Sequence, residues 1–146
     1  MDYSDIAGQL CKTCHLFGSR RWCLATSGNF SARVGHEQFL ISQSGREKSE
    51  LSPDDLMLCD LDGTAIKPEQ IPSAETPLHA CLYRLDENIG AVLHTHSVPA
   101  TVLSRAAETG VEITGYEMQK ALTGIKSHEA TVTVPVFDND QDMDAM

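Results

Sequence analysis

Ile89-Gly-Ala-Val-Leu-His94-Thr-His96-Ser-Val-Pro99 decides how the rest of the chain is read, because it joins a short apolar strand to two imidazoles at i and i+2. Side chains alternate across a strand, so Val92, His94 and His96 share one face, Ala91, Leu93 and Thr95 take the other, and the two rings can converge on one ion. The run predicts a short buried strand. Ser97 can cap a following helix and Pro99 is tolerated in its first turn, so the strand is expected to end at a helix N-terminus, a common place for binding groups. An H-x-H pair by itself is weak evidence for a metal, and the surrounding chain has to carry the reading.

Downstream of that stretch the pattern predicts a helix from about Val98 to Ala107, a helix from about Tyr116 to Leu122 and a strand from Thr131 to Phe137. Just upstream, Thr76-Pro77 opens a helix whose Leu78, Cys81, Leu82 and Leu85 fall at i, i+3, i+4 and i+7 and form its expected apolar face. His79 then lies on the polar side, and both it and His128 read as solvated. Further back, a strand toward Val34, a turn at Gly35 and a strand from Gln38 to Ser42 make a hairpin. Ser52-Pro-Asp-Asp55 is a capped helical turn, and Leu56 to Asp60 with Ile66 beyond Asp62-Gly63 makes a second hairpin. The first helix runs from about Tyr3 to Phe17 and stops at Gly18. Hairpins mixed with helices predict an α/β sandwich on a largely antiparallel sheet, within one domain over residues 1–146.

Composition narrows the function classes. The 146 residues are 41% hydrophobic and 22% charged, ordinary for a globular chain with a real core. Eleven Lys and Arg stand against 21 Asp and Glu, a net charge of −10 that argues against nucleic acid or an anionic membrane as partner. An anionic small substrate therefore needs local help from a metal, a basic side chain or backbone amides. No apolar run approaches the roughly 20 residues of a membrane span. The acidic start Met1-Asp-Tyr-Ser-Asp5 differs from a basic signal peptide, and five cysteines, an odd number, suit reduced thiols, so a cytoplasmic location is expected.

Cys11-Lys-Thr-Cys14-His15 matches a haem-attachment pattern, and its cysteine pair also suits zinc or redox chemistry. Haem attachment of that type belongs to exported proteins, and no second pair completes a zinc site. Ile6, Leu10, Cys14 and Phe17 fall at helical spacing instead, which makes Cys14 a small core residue.

Ser27-Gly28-Asn29 and Ser44-Gly45 are small polar loops able to present amides and hydroxyls to an anion, although either alone is also ordinary turn chemistry. Glu75, just before the Thr76-Pro77 helix start, and Glu117, in Tyr116-Glu117-Met118, each suit capping or acid–base work.

In order and spacing, Ser27-Gly-Asn-Phe-Ser31, Ile41-Ser-Gln-Ser-Gly45, Pro72-Ser-Ala-Glu75 and His94-Thr-His96 resemble the signature of the class II aldolase superfamily of zinc-dependent sugar-phosphate enzymes. Ser44-Gly-Arg-Glu-Lys48, Ser73-Ala-Glu-Thr-Pro77, Ile113-Thr-Gly-Tyr-Glu-Met118 and Val134-Pro-Val-Phe-Asp-Asn-Asp-Gln-Asp142 are similar to its dehydratase branch. The resemblance implies a three-layer α/β/α sandwich, one Zn2+ per subunit, a tetramer, and dehydration of 5-methylthioribulose 1-phosphate in methionine salvage. It makes His94 and His96 zinc ligands, Asn29, Ser44, Gly45 and Ser73 phosphate contacts, and Glu117, ahead of Glu75, the acid–base residue. Ala74 stands where aldolase relatives have a second serine, and Lys48 is the candidate to compensate.

Family members take a third zinc ligand from a later His in a Gly-His-Gly-like segment, which this sequence does not reach. A C-terminally truncated family member, inactive as written, is therefore expected; His128 replaces the ligand only if the local fold departs from the family's. A sugar-phosphate aldolase or epimerase, or a non-catalytic adaptor retaining the fold, are the alternatives.

Overall fold

A computed structural model describes residues 2–140, and these divide into two compact units, one over residues 2–97 and one from Val98 to Asn139. In the first unit, strands β1 (Asn29–Val34), β2 (Gln38–Ser42), β3 (Leu56–Asp60) and β4 (Ala91–His94) form an antiparallel sheet in the order β3-β2-β1-β4. Helices α1 (Tyr3–Ser19) and α2 (Thr76–Leu85) complete the unit.

Strand alternation divides the core in two. Phe30 of β1, Leu40 of β2 and Leu56 of β3 point to one face and pack with Ala7, Leu10, Cys11 and Cys14 of α1. Phe39 and Ile41 of β2 and Met57 and Cys59 of β3 point to the other and pack with Ala80 and Tyr83 of α2. One sheet with a helix on each face is the three-layer α/β/α arrangement, and every strand pairing among the described residues is antiparallel. The hairpin at Gly35 pairs Val34 with Gln38 as the spacing predicts. Ser52 and Asp55 form the expected capped turn, with the Asp55 carboxylate accepting from the Ser52 amide and hydroxyl. Cys14 is fully buried, its thiol pushed up to about 12 by burial, and His15 bonds the Leu51 carbonyl at 2.7 Å, so the cysteine motif is core.

Helix α2 corrects the expected pattern. Its buried residues are Thr76, His79, Ala80 and Tyr83, whereas Cys81 is exposed and Leu85 is 78% exposed. The face that packs is offset by two residues from the apolar stripe, roughly 200° around the helix. His79, read as solvated, is therefore fully buried. The physical reason lies on the sheet: Asn29 and Ser31 of β1 face α2 with buried polar side chains, which need hydrogen-bonding partners more than aliphatic ones.

Strand β4 also departs from expectation. It pairs with β1 alone among the described residues, and Ala91 and Leu93 are exposed, so it is an edge and not a buried strand. Arg33 of β1 steadies this edge by donating from Nε to the Ile89 carbonyl at 3.0 Å while its guanidinium lies 4.8 Å from the Tyr83 ring centre.

The second unit contains α3 (Val98–Ala106), paired strands β5 (Gly110–Ile113) and β6 (Val132–Pro135), and a 3-10 turn over Glu117–Ala121. The segment expected as a helix at 116–122 is that short 3-10 turn, and the expected strand at 131–137 is shorter at both ends. No helix among the described residues is long and apolar enough to cross a membrane.

Candidate metal and phosphate site

The β1–β4 ladder sets His94 opposite Asn29, and both side chains lie on the α2 face of the sheet. Helix α2 begins beside them. Glu75 occupies its N-cap position but makes no capping bond with its side chain; the carboxylate turns to the sheet instead. There Oε2 of Glu75 accepts from the Nδ2 amide of Asn29 and lies 3.1 Å from Nδ1 of His94. His96 lies two residues past β4. Its backbone amide donates to the Trp22 carbonyl at 2.7 Å, and its ring centre is 4.6 Å from that of His94.

Glu75, His94 and His96 offer ligand atoms that all lie within 4.8 Å of one another. Two imidazole nitrogens and a carboxylate oxygen at this separation fit a divalent transition metal, and this is the donor set that catalytic zinc uses. The sequence points to the two histidines as metal ligands; among the described residues Glu75, expected from the sequence to serve in proton transfer, lies beside them as a third possible donor.

A cavity of about 250 Å³ opens on the same cluster and is lined by Asn29, Ser44, Gly45, Lys48, Ser73, Glu75 and His96 among others. All five expected phosphate contacts thus line one cavity. One wall is conformationally demanding: Thr26 holds φ of 64°, and Ala25 just before it φ of 52°, a region that costs non-glycine residues energy and recurs at binding loops. Lys48 holds the loops in place from beneath. It is 1% exposed, and its Nζ donates to the Thr26 carbonyl at 3.0 Å and the Arg46 carbonyl at 2.6 Å. Burial lowers its pKa from the usual lysine value, against the opposing pull of Cys14, Cys23 and Glu47.

Asn29 is more committed than the sequence implied. Its Oδ1 accepts from Nε2 of His79 at 2.5 Å, and one of its amide hydrogens goes to Glu75. Nδ1 of His79 faces the Ser31 hydroxyl at 2.7 Å, which in turn faces the Tyr83 hydroxyl at 2.7 Å. Burial, together with nearby His94, pushes His79 down to about 4 against the opposing pull of Glu75, so its ring is neutral at pH 7. Sequence reasoning missed His79, Ser31 and Tyr83. The signal available was positional: Ser31 shares a strand face with Asn29, and His79 lies one helical turn after Glu75.

Glu117 belongs to the second unit. It opens the 3-10 turn, pairs with Nζ of Lys120, and lies 3.2 Å from Nδ1 of His128. His128 is half-exposed and bonded to Glu117.

A methylthioribulose-1-phosphate dehydratase of Yersinia enterocolitica is 48% identical over 140 residues, 95% of this chain and 67% of that protein. The enzyme of the same name from Pectobacterium atrosepticum is 50% identical over 139 residues, 94% of this chain and 67% of the other. The L-fuculose-1-phosphate aldolase of Thermus thermophilus superposes with a TM-score of 0.67 at 27% identity, covering 82% of this chain and 58% of that one. An aldolase II superfamily protein from Pseudomonas syringae gives 0.62 at 28%, covering 68% and 42%. The chain thus spans about two thirds of the matched dehydratases and about half of the matched aldolase-like structures. Residues 8–146 match the class II aldolase and adducin N-terminal domain, and with half of the aligned residues shared with the Pectobacterium dehydratase and the sheet shared with the aldolases, the chain belongs to that family.

Proposed function

We propose that this chain carries the metal, phosphate and acid–base groups of a hydro-lyase that converts 5-methylthioribulose 1-phosphate to 2,3-diketo-5-methylthiopentyl 1-phosphate in methionine salvage. One observation carries the reading: Glu75 and His96 of the metal-ligand cluster line the same cavity as the serine and glycine loops, in a chain 48% identical to a protein named for this reaction. Zinc is the metal we assign, held by Glu75, His94 and His96. When bound, it supplies a Lewis acid for negative charge that develops on the substrate's oxygens.

The remaining roles fall to the chain. Ser44, Gly45 and Ser73 take the phosphate oxygens, and the free amide hydrogen of Asn29 is available to a fourth contact. Ala74 offers no hydroxyl. The buried ammonium of Lys48 offsets the chain's net charge of −10 where an anion must enter. The substrate's C3 proton lies beside the C2 ketone, and the hydroxyl that leaves is on C4. Glu117, matched to the acid–base glutamate of the dehydratase branch, takes the C3 proton and returns it as the C4 hydroxyl departs as water. The enol so formed between C3 and C4 tautomerises to the diketone. The protein acts in the cytoplasm as a homo-oligomer, a tetramer by family resemblance.

Product analysis tests the reading. With Glu75 as a third donor beside His94 and His96, this reading departs from the inactivity expected from the sequence: supplied with 5-methylthioribulose 1-phosphate, the zinc-loaded protein is expected to release one water per ester and yield the diketone. Retro-aldol fragments as the main product would transfer it to the aldolases, and a protein that takes up no zinc would be an adaptor.

A further inference from the structure

Four side chains between the sheet and α2 form a hydrogen-bonded chain whose direction follows from donor and acceptor chemistry. Oδ1 of Asn29 can only accept, so Nε2 of His79, 2.5 Å away, carries the ring hydrogen. In the neutral ring Nδ1 is then an acceptor, and the Ser31 hydroxyl, 2.7 Å from it, donates. With that hydrogen used, Ser31 Oγ accepts from the Tyr83 hydroxyl at 2.7 Å. At the far end the Asn29 amide donates to Glu75. Ser31 and His79 are fully buried, Tyr83 is 1% exposed and Asn29 3%, so solvent offers none of these groups a substitute partner.

We infer that His79 is a positioning residue: by donating from Nε2 it fixes which way the Asn29 amide faces and thereby aims the Glu75 carboxylate, while the Ser31 hydroxyl, backed by Tyr83, gives Nδ1 its partner and holds the ring in place. The inference rests on the reading that Glu75 works in the metal and phosphate site. An asparagine amide turned by 180° would set its NH2 against the His79 N–H and its carbonyl against the carboxylate, two repulsive contacts in place of two hydrogen bonds. The donor on His79 removes that alternative. Apolar side chains of the same shape would fill this space about as stably, because replacing both partners of a buried hydrogen bond is nearly neutral. What the polar chain adds is direction, delivered to a carboxylate that also faces His94. Outer groups that orient a metal-binding side chain in this way commonly change metal affinity by about 10- to 100-fold.

The ring tautomer is read first, by long-range 1H–15N spectra of the uniformly labelled protein between pH 6 and 8. His79 is expected with hydrogen on Nε2 and none on Nδ1; hydrogen on Nδ1, or a charged ring, overturns the inference. Neither result depends on what reaction the protein catalyses. His79→Leu keeps bulk without a donor, and His79→Gln keeps an amide donor near the place of Nε2. Competition of Zn2+ against a chelator should show at least tenfold weaker binding in His79→Leu, with recovery in His79→Gln, and kcat should fall in the first while KM changes only a few-fold. Wild-type zinc affinity in a folded His79→Leu overturns the inference. Should that variant not fold, Ser31→Ala serves, since it leaves Nδ1 without its buried partner and the ring less firmly held, and it should weaken zinc binding several-fold; unchanged zinc affinity again overturns the inference. Loss of zinc affinity in a protein that dehydrates no sugar phosphate would remove the proposed reaction and leave His79 as the positioning residue.

Discussion

Asn29 of β1 and His94 of β4 stand directly opposite each other in the antiparallel ladder, and one oxygen, Oε2 of Glu75, receives both side chains. That register assembles the site. A slip of one residue would send the His94 ring to the α1 face, since strand side chains alternate. The turn before β1 is held to the same tolerance: Gly28 has φ of +73°, and a Cβ there would lie 2.7 Å from the His94 carbonyl oxygen.

Gly28→Ala should therefore disturb His94 as well as the fold. The positive φ costs about 1–2 kcal/mol for a side chain, and the overlap with β4 about 1–3 kcal/mol more. Denaturant unfolding should show the loss, and zinc titration should show weaker binding even at temperatures where the variant is folded. Wild-type zinc affinity would mean that β4 moves without disturbing the ligands.

The two glutamates should separate by measurement. Glu117→Gln removes the assigned base and not a ligand, so turnover should fall by about 10²–10⁴-fold with zinc content unchanged. Glu75→Gln should lower zinc content itself. A Glu117→Gln protein within a few-fold of wild-type turnover would move the proton-transfer role to Glu75.

Lys48→Met should act on phosphate more than on chemistry. It removes the buried charge beneath the cavity and leaves the Thr26 and Arg46 carbonyls without their donor. A rise in KM for the phosphate ester of at least tenfold is expected, with a smaller change in kcat and a loss of stability of about 1–3 kcal/mol. Equal KM in the two proteins would remove Lys48 from anion binding.

His79 gives stability a pH dependence of definite sign. Its ring titrates at about 4 when folded, pushed down chiefly by burial and further by His94, against 6.5 as its ordinary value. Between those values the unfolded chain binds more protons, so stability is fully present above pH 6.5, falls as pH drops towards 4, and loses nothing further from this group below 4. The full contribution is on the order of 3 kcal/mol. Denaturant midpoints from pH 7 to 4 should show this slope in the wild type and lose most of it in His79→Gln; parallel slopes would assign it to other groups.

Sequence alone determined the parts of this protein that local chemistry specifies. An i, i+2 spacing is enough to put Val92 and His94 on one strand face, Gly35 between alternating runs is enough to turn a hairpin, and Ser52-Pro-Asp-Asp55 carries its own cap. The small polar loops at Ser27–Asn29 and Ser44–Gly45, which line the cavity, were legible for the same reason, because small polar residues of this kind specify turns locally. Tertiary structure decided what periodicity leaves degenerate. Along α2, Leu78, Cys81, Leu82 and Leu85 have the same i, i+3, i+4, i+7 spacing as Thr76, His79, Ala80 and Tyr83, and hydrophobicity favours the first set. The second set is buried because Asn29 and Ser31 await it on the sheet, and a buried polar group without a partner costs about 1–3 kcal/mol. The same holds for Glu75: at a helix N-cap its carboxylate has a local use, and only the approach of β1 and β4, which bring in residues 46 and 19 positions away in sequence, turns it toward Asn29 and His94.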